Sequence, residues 1–421
     1  MVPASSGPIV GVMTTTTQLP NVFDAGLPTV DYGDGLDRAE VHRAVRAARQ
    51  QAPIAIGRYG PELLTHDLVR TMLRDSRFVT PQGIGLVIQG ITSGPVWDRV
   101  CKLLISMDGS EHHRLRRLVA RAFTPRAADR MRTACVEVIN ELVDEVADLG
   151  RCDVVADIAN HYPVPIICAL LGAPREDWKL FSGWASDISN AFGVNVAEQQ
   201  AAILRSWEAL DGYLEDLVVC RRHSRADDLI SDLIRVEADG DQLSHDELLN
   251  LALILLNAGT DTTRNQLAAG VQVFCDHPDQ RALLAERPEL AHNAVEEVMR
   301  HSPIVFGSLR KATEDVEMGG VLFPAGTFVI GNTAAANRDP DVYPEPERFD
   351  ITRGDAPAIL TFGGGVHYCL GAHLARVELA EALTVLARRM PGLRRTGPAP
   401  WKPITDLSGP TTLPVAFKPG H

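Results

Sequence analysis

One segment near the C-terminal end restricts the architecture of this chain more than any other: Phe362-Gly363-Gly364-Gly365-Val366-His367-Tyr368-Cys369-Leu370-Gly371. Consecutive glycines let a backbone turn sharply and pass close to something bulky. A helical pattern over roughly Leu370–Arg389 follows, so Cys369 stands at a helix N-terminus. Unpaired N–H groups and the positive end of the helix dipole there favour thiolate over thiol. A thiolate in that setting can ligate a soft or borderline metal. Two other readings compete. A free cysteine commonly acts as a small buried apolar residue, which describes Cys101, Cys135, Cys152, Cys168, Cys220 and Cys275. The pair Cys369 and His373 has a zinc-like spacing but lacks two further ligands at structural-site distance.

Composition excludes several classes. With 41 basic against 54 acidic residues the formal charge is −13, the opposite of a nucleic-acid footprint. The 7 cysteines are scattered and outline no disulfide framework, which fits a reducing compartment. Met1–Pro20 holds only the short apolar piece Pro8–Met13 with no basic residue before it, unlike a targeting segment. The longest aliphatic run, Leu251–Leu256, falls far below the ~20 apolar residues that cross a bilayer. A cytoplasmic protein without a membrane partner is expected.

Along the chain, residues 1–22 read as a flexible leader and 23–421 as one domain. Pro53–Tyr59 alternates weakly as a strand does, and Gln82–Pro95 reads as a Gly-rich loop. From Arg126 a helical stripe recurs through Met131, Val136, Ile139, Leu142, Val143 and Val146. Ser244 with Glu247 forms a capping-box pattern that opens a long helix, running past Gly259 to about Cys275. Gln280–His301 gives two helices split near Pro288, and Val316–Thr333 gives short strands. The fold class is mainly α with small β-sheets, in a single large helical domain.

Within the long helix, Ala258-Gly259-Thr260-Asp261-Thr262-Thr263 is odd, because an interior Gly costs ~1 kcal/mol against Ala. It reads as a packing notch, with the Thr262 hydroxyl bonded back to the Ala258 carbonyl, or as a site that uses the acid and the alcohol. Glu297 and Arg300 share a helix face at i, i+3 spacing. His112 and Arg116 project from one face toward a shared anion.

Together these segments resemble the cytochrome P450 family, in its soluble bacterial class. The cysteine loop fits the family's signature Phe-Gly-x-Gly-x-His/Arg-x-Cys-x-Gly at every fixed position, and the other motifs follow in the family's order. The resemblance implies the cytochrome P450 fold and heme b, with Cys369 as the axial iron ligand. It places Phe362, Gly363, Ala258 and Gly259 against the porphyrin. It sets His112, Arg116, Arg310 and His367 around the two propionates, with His113 leaving some ambiguity over which histidine takes part. It makes Asp261 and Thr262 the proton-managing pair of oxygen activation. It adds Arg348 to Glu297 and Arg300 as a buried structural charge triad. Asp108-Gly109-Ser110 departs from the Asp-Pro-Pro frequent there, a change confined to a turn.

The implied activity is insertion of one oxygen atom from O2 into an apolar small molecule. The chain has neither a Gly-x-Gly-x-x-Gly dinucleotide motif nor a clustered four-cysteine spacing. Electrons must therefore come from a ferredoxin, or a flavodoxin, and its NAD(P)H-dependent reductase. Docking is expected near the cysteine loop, with Arg114 and Arg117 offering positive charge. Ile88, Phe192, Leu255, Val305 and Phe306 suggest an apolar substrate pocket. A peroxide-driven peroxygenase and a non-catalytic haem sensor are the competing functions; an intact Asp261–Thr262 pair speaks against both.

Overall fold

The structure, a computed structural model, describes residues 19–32, 38–193, 195–238, 243–354, 357–404 and 407–419. The long helix, His245–Asp276, is its axis. Its start is fixed as the capping box requires: Ser244 N donates to Glu247 Oε2 (2.7 Å) and Glu247 N donates to Ser244 Oγ (3.3 Å). A helix apolar on nearly every side must be surrounded by protein, and this one is. Pro163–Leu171, Trp178–Ser189, Val196–His223 and the C-terminal helix Ala372–Arg389 pack on it, and their side chains merge into one large apolar core. Arg132–Ala147 lies against the C-terminal helix. Its buried face runs through Cys135 and Val138 as well as Ile139, Leu142, Val143 and Val146, whereas Val136 and Met131 sit at the margin.

The sheets are small. A five-stranded sheet has the spatial order Ile54–Gly57, Gly60–Leu63, Phe328–Gly331, Ser308–Ala312, Phe78–Val79. Gly60–Leu63 and Phe328–Gly331 run parallel, and the other pairs run antiparallel. The sheet covers a second apolar cluster that includes Val69, Met72, Phe78 and Val329. A hairpin, Val316–Met318 with Val321–Phe323, turns through Gly319 and Gly320 at φ +61° and +82°, a conformation L side chains rarely adopt. Pro414–Ala416 pairs with both Arg151–Asp153 and Arg394–Arg395.

Three expectations need adjustment. Of the leader expected over 1–22, residues 1–18 lie outside the described residues; its end belongs to the fold, since Asn21 bridges to Leu322 and Val22 is fully buried. The packed body therefore begins by about residue 20. The stretch Val154–Leu171 is apolar enough to cross a membrane by length and composition, yet 61% of it is buried inside the fold, so it is core. Finally, the C-terminal helix begins at Ala372, so Cys369 lies in the turn before it.

Candidate active site

The glycines of the cysteine loop have separate duties. Gly363 and Gly365 take φ +71° and +62°, and a Cβ on Gly365 would meet the Leu73 carbonyl at 2.1 Å. The loop is thereby pressed onto the turn that ends the helix His66–Met72. The Cys369 N–H donates to the Phe362 carbonyl (2.9 Å), which closes the loop on itself. The Arg376 guanidinium lies 4.5 Å over the Phe362 ring and pairs with Glu296 at 2.6 Å. Cys369 is accessible, yet burial pushes its thiol up, while the Gly371 N–H, Arg116 and Arg376 pull it down. The residue is thus accessible while its thiol group is desolvated. The helix-end N–H and the two arginines act in the direction expected for a thiolate, while burial acts against it.

Between Leu251 and Val271 every residue of the long helix is buried except Leu255, Ala258, Gly259 and Thr262. Their i, i+3, i+4, i+7 spacing is one helical stripe, so a single face of a core helix opens onto a recess. Gly259 has a further role, because a Cβ there would meet Ile167 Cδ1 at 2.6 Å. The missing side chain lets the helix Pro163–Leu171 pack closely, so the notch serves packing. Thr262 Oγ1 donates to the Ala258 carbonyl (2.6 Å). Asp261 points into the protein and pairs with Arg264. Thr263 Oγ1 donates to Glu378 Oε2 (3.0 Å), which ties this helix to the one that follows the cysteine.

The cationic residues named from sequence do converge, around Asp108. This aspartate caps the helix Gly109–Val119 through the Gly109 N–H (2.8 Å), accepts from the Thr80 N–H (2.9 Å) and faces His367 Nε2 at 3.4 Å. His112 is buried and its ring centroid lies 4.2 Å from that of His367. Burial, then the neighbouring His367 and Arg116, push His112 down to about 4. Its Nδ1 has no partner among the described residues. His113 is exposed, and His112 is the histidine that stacks near His367. Arg116 donates to the Tyr368 carbonyl. Arg310, on its strand, is buried without a carboxylate ion pair among the described residues. Arg114 is not an open docking charge, since it pairs with Glu111 at 2.9 Å and with Glu247.

The charge triad is corrected at its third member. Arg300 Nε and Nη2 donate to Glu297 at 2.7 and 2.9 Å, both side chains being buried. The second cation on Glu297 is Arg353, with Nε at 3.3 Å. Arg348 is 59% exposed, pairs with Asp350 and Glu345, and contributes only its carbonyl to Arg300 (3.0 Å). The loop turns its side chain outward because the next residues, through the Asp350 N–H, already close onto Glu297 (2.9 Å).

Of the pocket residues, Ile88, Phe192, Leu255 and Val305 are half-buried, and Gln89 Nε2 joins the first two segments by donating to the Gly193 carbonyl (2.8 Å). Phe306 is corrected: it is buried in another cluster, 5.2 Å from the His42 ring. Three residues escaped sequence reasoning. Asp108 and Arg353 gave no spacing signal. Glu378 sat within an ordinary helical pattern, yet it is fully buried and desolvation raises its carboxyl to about 8.

The described residues therefore offer an accessible cysteine on one element, an open helical stripe on another, and cations bearing one unpartnered imidazole nitrogen. That donor set fits a flat, dianionic iron porphyrin, its carboxylates toward the cations. Comparison with known proteins agrees. A family model described as cytochrome P450 matches residues 179–390. The chain is 41% identical over 368 residues to mycinamicin IV hydroxylase/epoxidase of Micromonospora griseorubida, covering 85% of this chain and 90% of that protein. It is 41% identical over 325 residues to vitamin D(3) 25-hydroxylase of Pseudonocardia autotrophica, covering 75% and 78%. Among solved structures, CalO2 superimposes with a TM-score of 0.85 at 30% identity, over 92% of this chain and 99% of that one.

Proposed function

The chain belongs to the cytochrome P450 family, and from that premise we propose that this haem monooxygenase holds its iron through Cys369 and oxidises a bulky apolar molecule over the Leu255–Thr262 stripe. Haem, the family's cofactor, supplies the activation of dioxygen when bound. The chain's own residues do the rest. His112, Arg116, Arg310 and His367 would neutralise the propionates; burial first, and then the neighbouring His367 and Arg116, push His112 down. The Thr262 hydroxyl spends its hydrogen on the Ala258 carbonyl, so its oxygen is free to accept a hydrogen bond in the recess. Asp261, oriented by Arg264 one layer behind, is the nearest acid in sequence to pass protons forward. Leu255, Ala258, Ile88, Phe192 and Val305 keep bulk water from the substrate.

Electrons come from a ferredoxin, or a flavodoxin, with its NAD(P)H-dependent reductase, and the enzyme works in the cytoplasm. The observation that carries the reading is the pairing of an accessible, desolvated cysteine with one open stripe on the otherwise buried stretch of helix from Leu251 to Val271. The absorption spectrum of the reduced protein with carbon monoxide tests it. A thiolate-type Soret band that disappears in Cys369→Ser is expected; an unaltered spectrum in that variant would refute the ligand.

A further inference from the structure

Far from the cysteine in sequence, the C-terminal end of the long helix borders a cleft of about 730 Å³ that shares no residue with the haem site. Its other walls are the helix Arg38–Arg49, the end of the helix Ala291–His301 and the segments carrying Arg338 and Trp401. Five arginines line it (Arg38, Arg43, Arg46, Arg338, Arg395) against two carboxylates, Asp276 and Glu347. Arg395 is matched by Asp276 at 2.8 Å, and Glu347 is shared between Arg46 at 3.3 Å and Arg338. Arg38 has no carboxylate partner among the described residues. Its Nη2 donates to the Pro303 carbonyl (2.7 Å), its guanidinium stacks 4.3 Å over the Trp401 ring, and its Nη1 has no hydrogen-bond partner among the described residues.

Two further nitrogens beneath the cleft, His42 Nε2 and Arg338 Nε, also lack partners among the described residues, on residues only 9% and 7% exposed. Leaving a desolvated charge unmatched is costly. The crowding also acts on the neighbouring imidazoles: burial and then the charge of Arg338 push His42 down, and the same two causes push His301 down to about 2. A fold that gathers like charges at the floor of an open cleft lowers its energy by taking in a counter-ion. Guanidinium groups favour oxygen acids, which they bind through paired N–H donors, and Trp401 gives an organic part a flat face.

We propose that this cleft binds a small oxyanion, a phosphate or carboxylate group, with Arg38, His42 and Arg338 at its floor and Arg46 at its mouth. The site does not depend on the monooxygenase reading, and its test reads binding, not turnover. Haem-loaded enzyme is titrated calorimetrically with inorganic phosphate, with succinate, and with sodium chloride at matched ionic strength. Saturable binding of phosphate or of succinate, without a matching chloride response, is the expected result; which of the two saturates identifies the group. Arg46→Gln, at the mouth, should weaken binding at least tenfold and Arg38→Gln should abolish it. Arg70→Gln, whose side chain pairs with Asp67 outside the cleft, should leave it unchanged. If Arg38→Gln fails to fold, Arg46→Gln still decides. Absence of saturable binding by either anion, or binding that survives Arg46→Gln, would overturn the proposal. So would a haem absorption shift during the titration, because that would locate the anion at the other cation cluster.

Discussion

Glu378 carries its carboxyl into full burial between the long helix and the C-terminal helix, with the Thr263 hydroxyl on one oxygen and nothing on the other among the described residues. Its folded pKa, about 8, lies above the ordinary carboxylate value, so the neutral form is the one the fold favours. The stabilisation is complete below about pH 4.5 and is lost as pH rises toward about 8. Glu378→Gln, which keeps an acceptor for Thr263, should flatten that dependence and raise stability at pH 8 by on the order of a few kcal/mol. Denaturant unfolding at pH 5 and pH 8 measures it; identical pH slopes in the two proteins would mean that the carboxyl is not desolvated. The same reasoning separates two arginines. Arg353→Leu strips a cation from buried Glu297 and should cost about 3 kcal/mol, whereas Arg348→Ala at the surface should cost less than about 1 kcal/mol. Thr262→Ala removes the one hydroxyl on the open stripe, and should raise electron consumption per product formed while leaving folding intact. Comparable coupling of reductant to product in the variant would remove Thr262 from proton handling.

At the scale of elements, the contact between the long helix and Pro163–Leu171 depends on a side chain that is absent. Gly259→Ala would push a methyl into Ile167 Cδ1 and should destabilise the protein by about 1–3 kcal/mol despite the better helix propensity of Ala. Ile167→Val removes that Cδ1, so the double variant should recover part of the loss; additive effects in thermal unfolding would show that the two helices do not meet there. The capping box was readable from Ser244 and Glu247 because it is a local hydrogen-bond pattern, and the structure forms it. The third arginine of the triad was not readable, because the loop's course decides which guanidinium turns inward. Arg348 and Arg353 lie five residues apart in one irregular segment, and nothing periodic ranks them.

At the scale of the whole molecule, no segment among the described residues of the helix-dominated body and its separate small sheets has the pattern of a nucleotide-binding or iron–sulfur module. Purified enzyme with NADPH alone should therefore give no product, and adding a ferredoxin with its reductase should start turnover. Product formed with NADPH as the only addition would refute the dependence on a separate electron carrier. Charge also belongs to this scale. The net −13 hides two concentrations of positive charge, one beside the cysteine loop and one in the cleft at the far end of the long helix. Only the first was foreseen, since His112, Arg116, Arg310 and His367 sit in motifs, while Arg38, His42 and Arg338 come from unrelated stretches.

The amino-acid order by itself determined the elements and the chemistry carried on short motifs: the glycine loop before Cys369, the capped long helix, the i, i+4 pair His112 and Arg116, the pairing of Glu297 with Arg300. These depend on interactions within a few residues, and periodicity records them. Tertiary packing alone decided which side chains lost water and which neighbours they met. It put Phe306 in a separate apolar cluster, gave Gly259 a part in helix packing, exchanged Arg348 for Arg353, desolvated the Cys369 thiol and left Arg38 without a carboxylate partner among the described residues. Desolvation and long-range contact are properties of the assembled interior, and no local pattern encodes them.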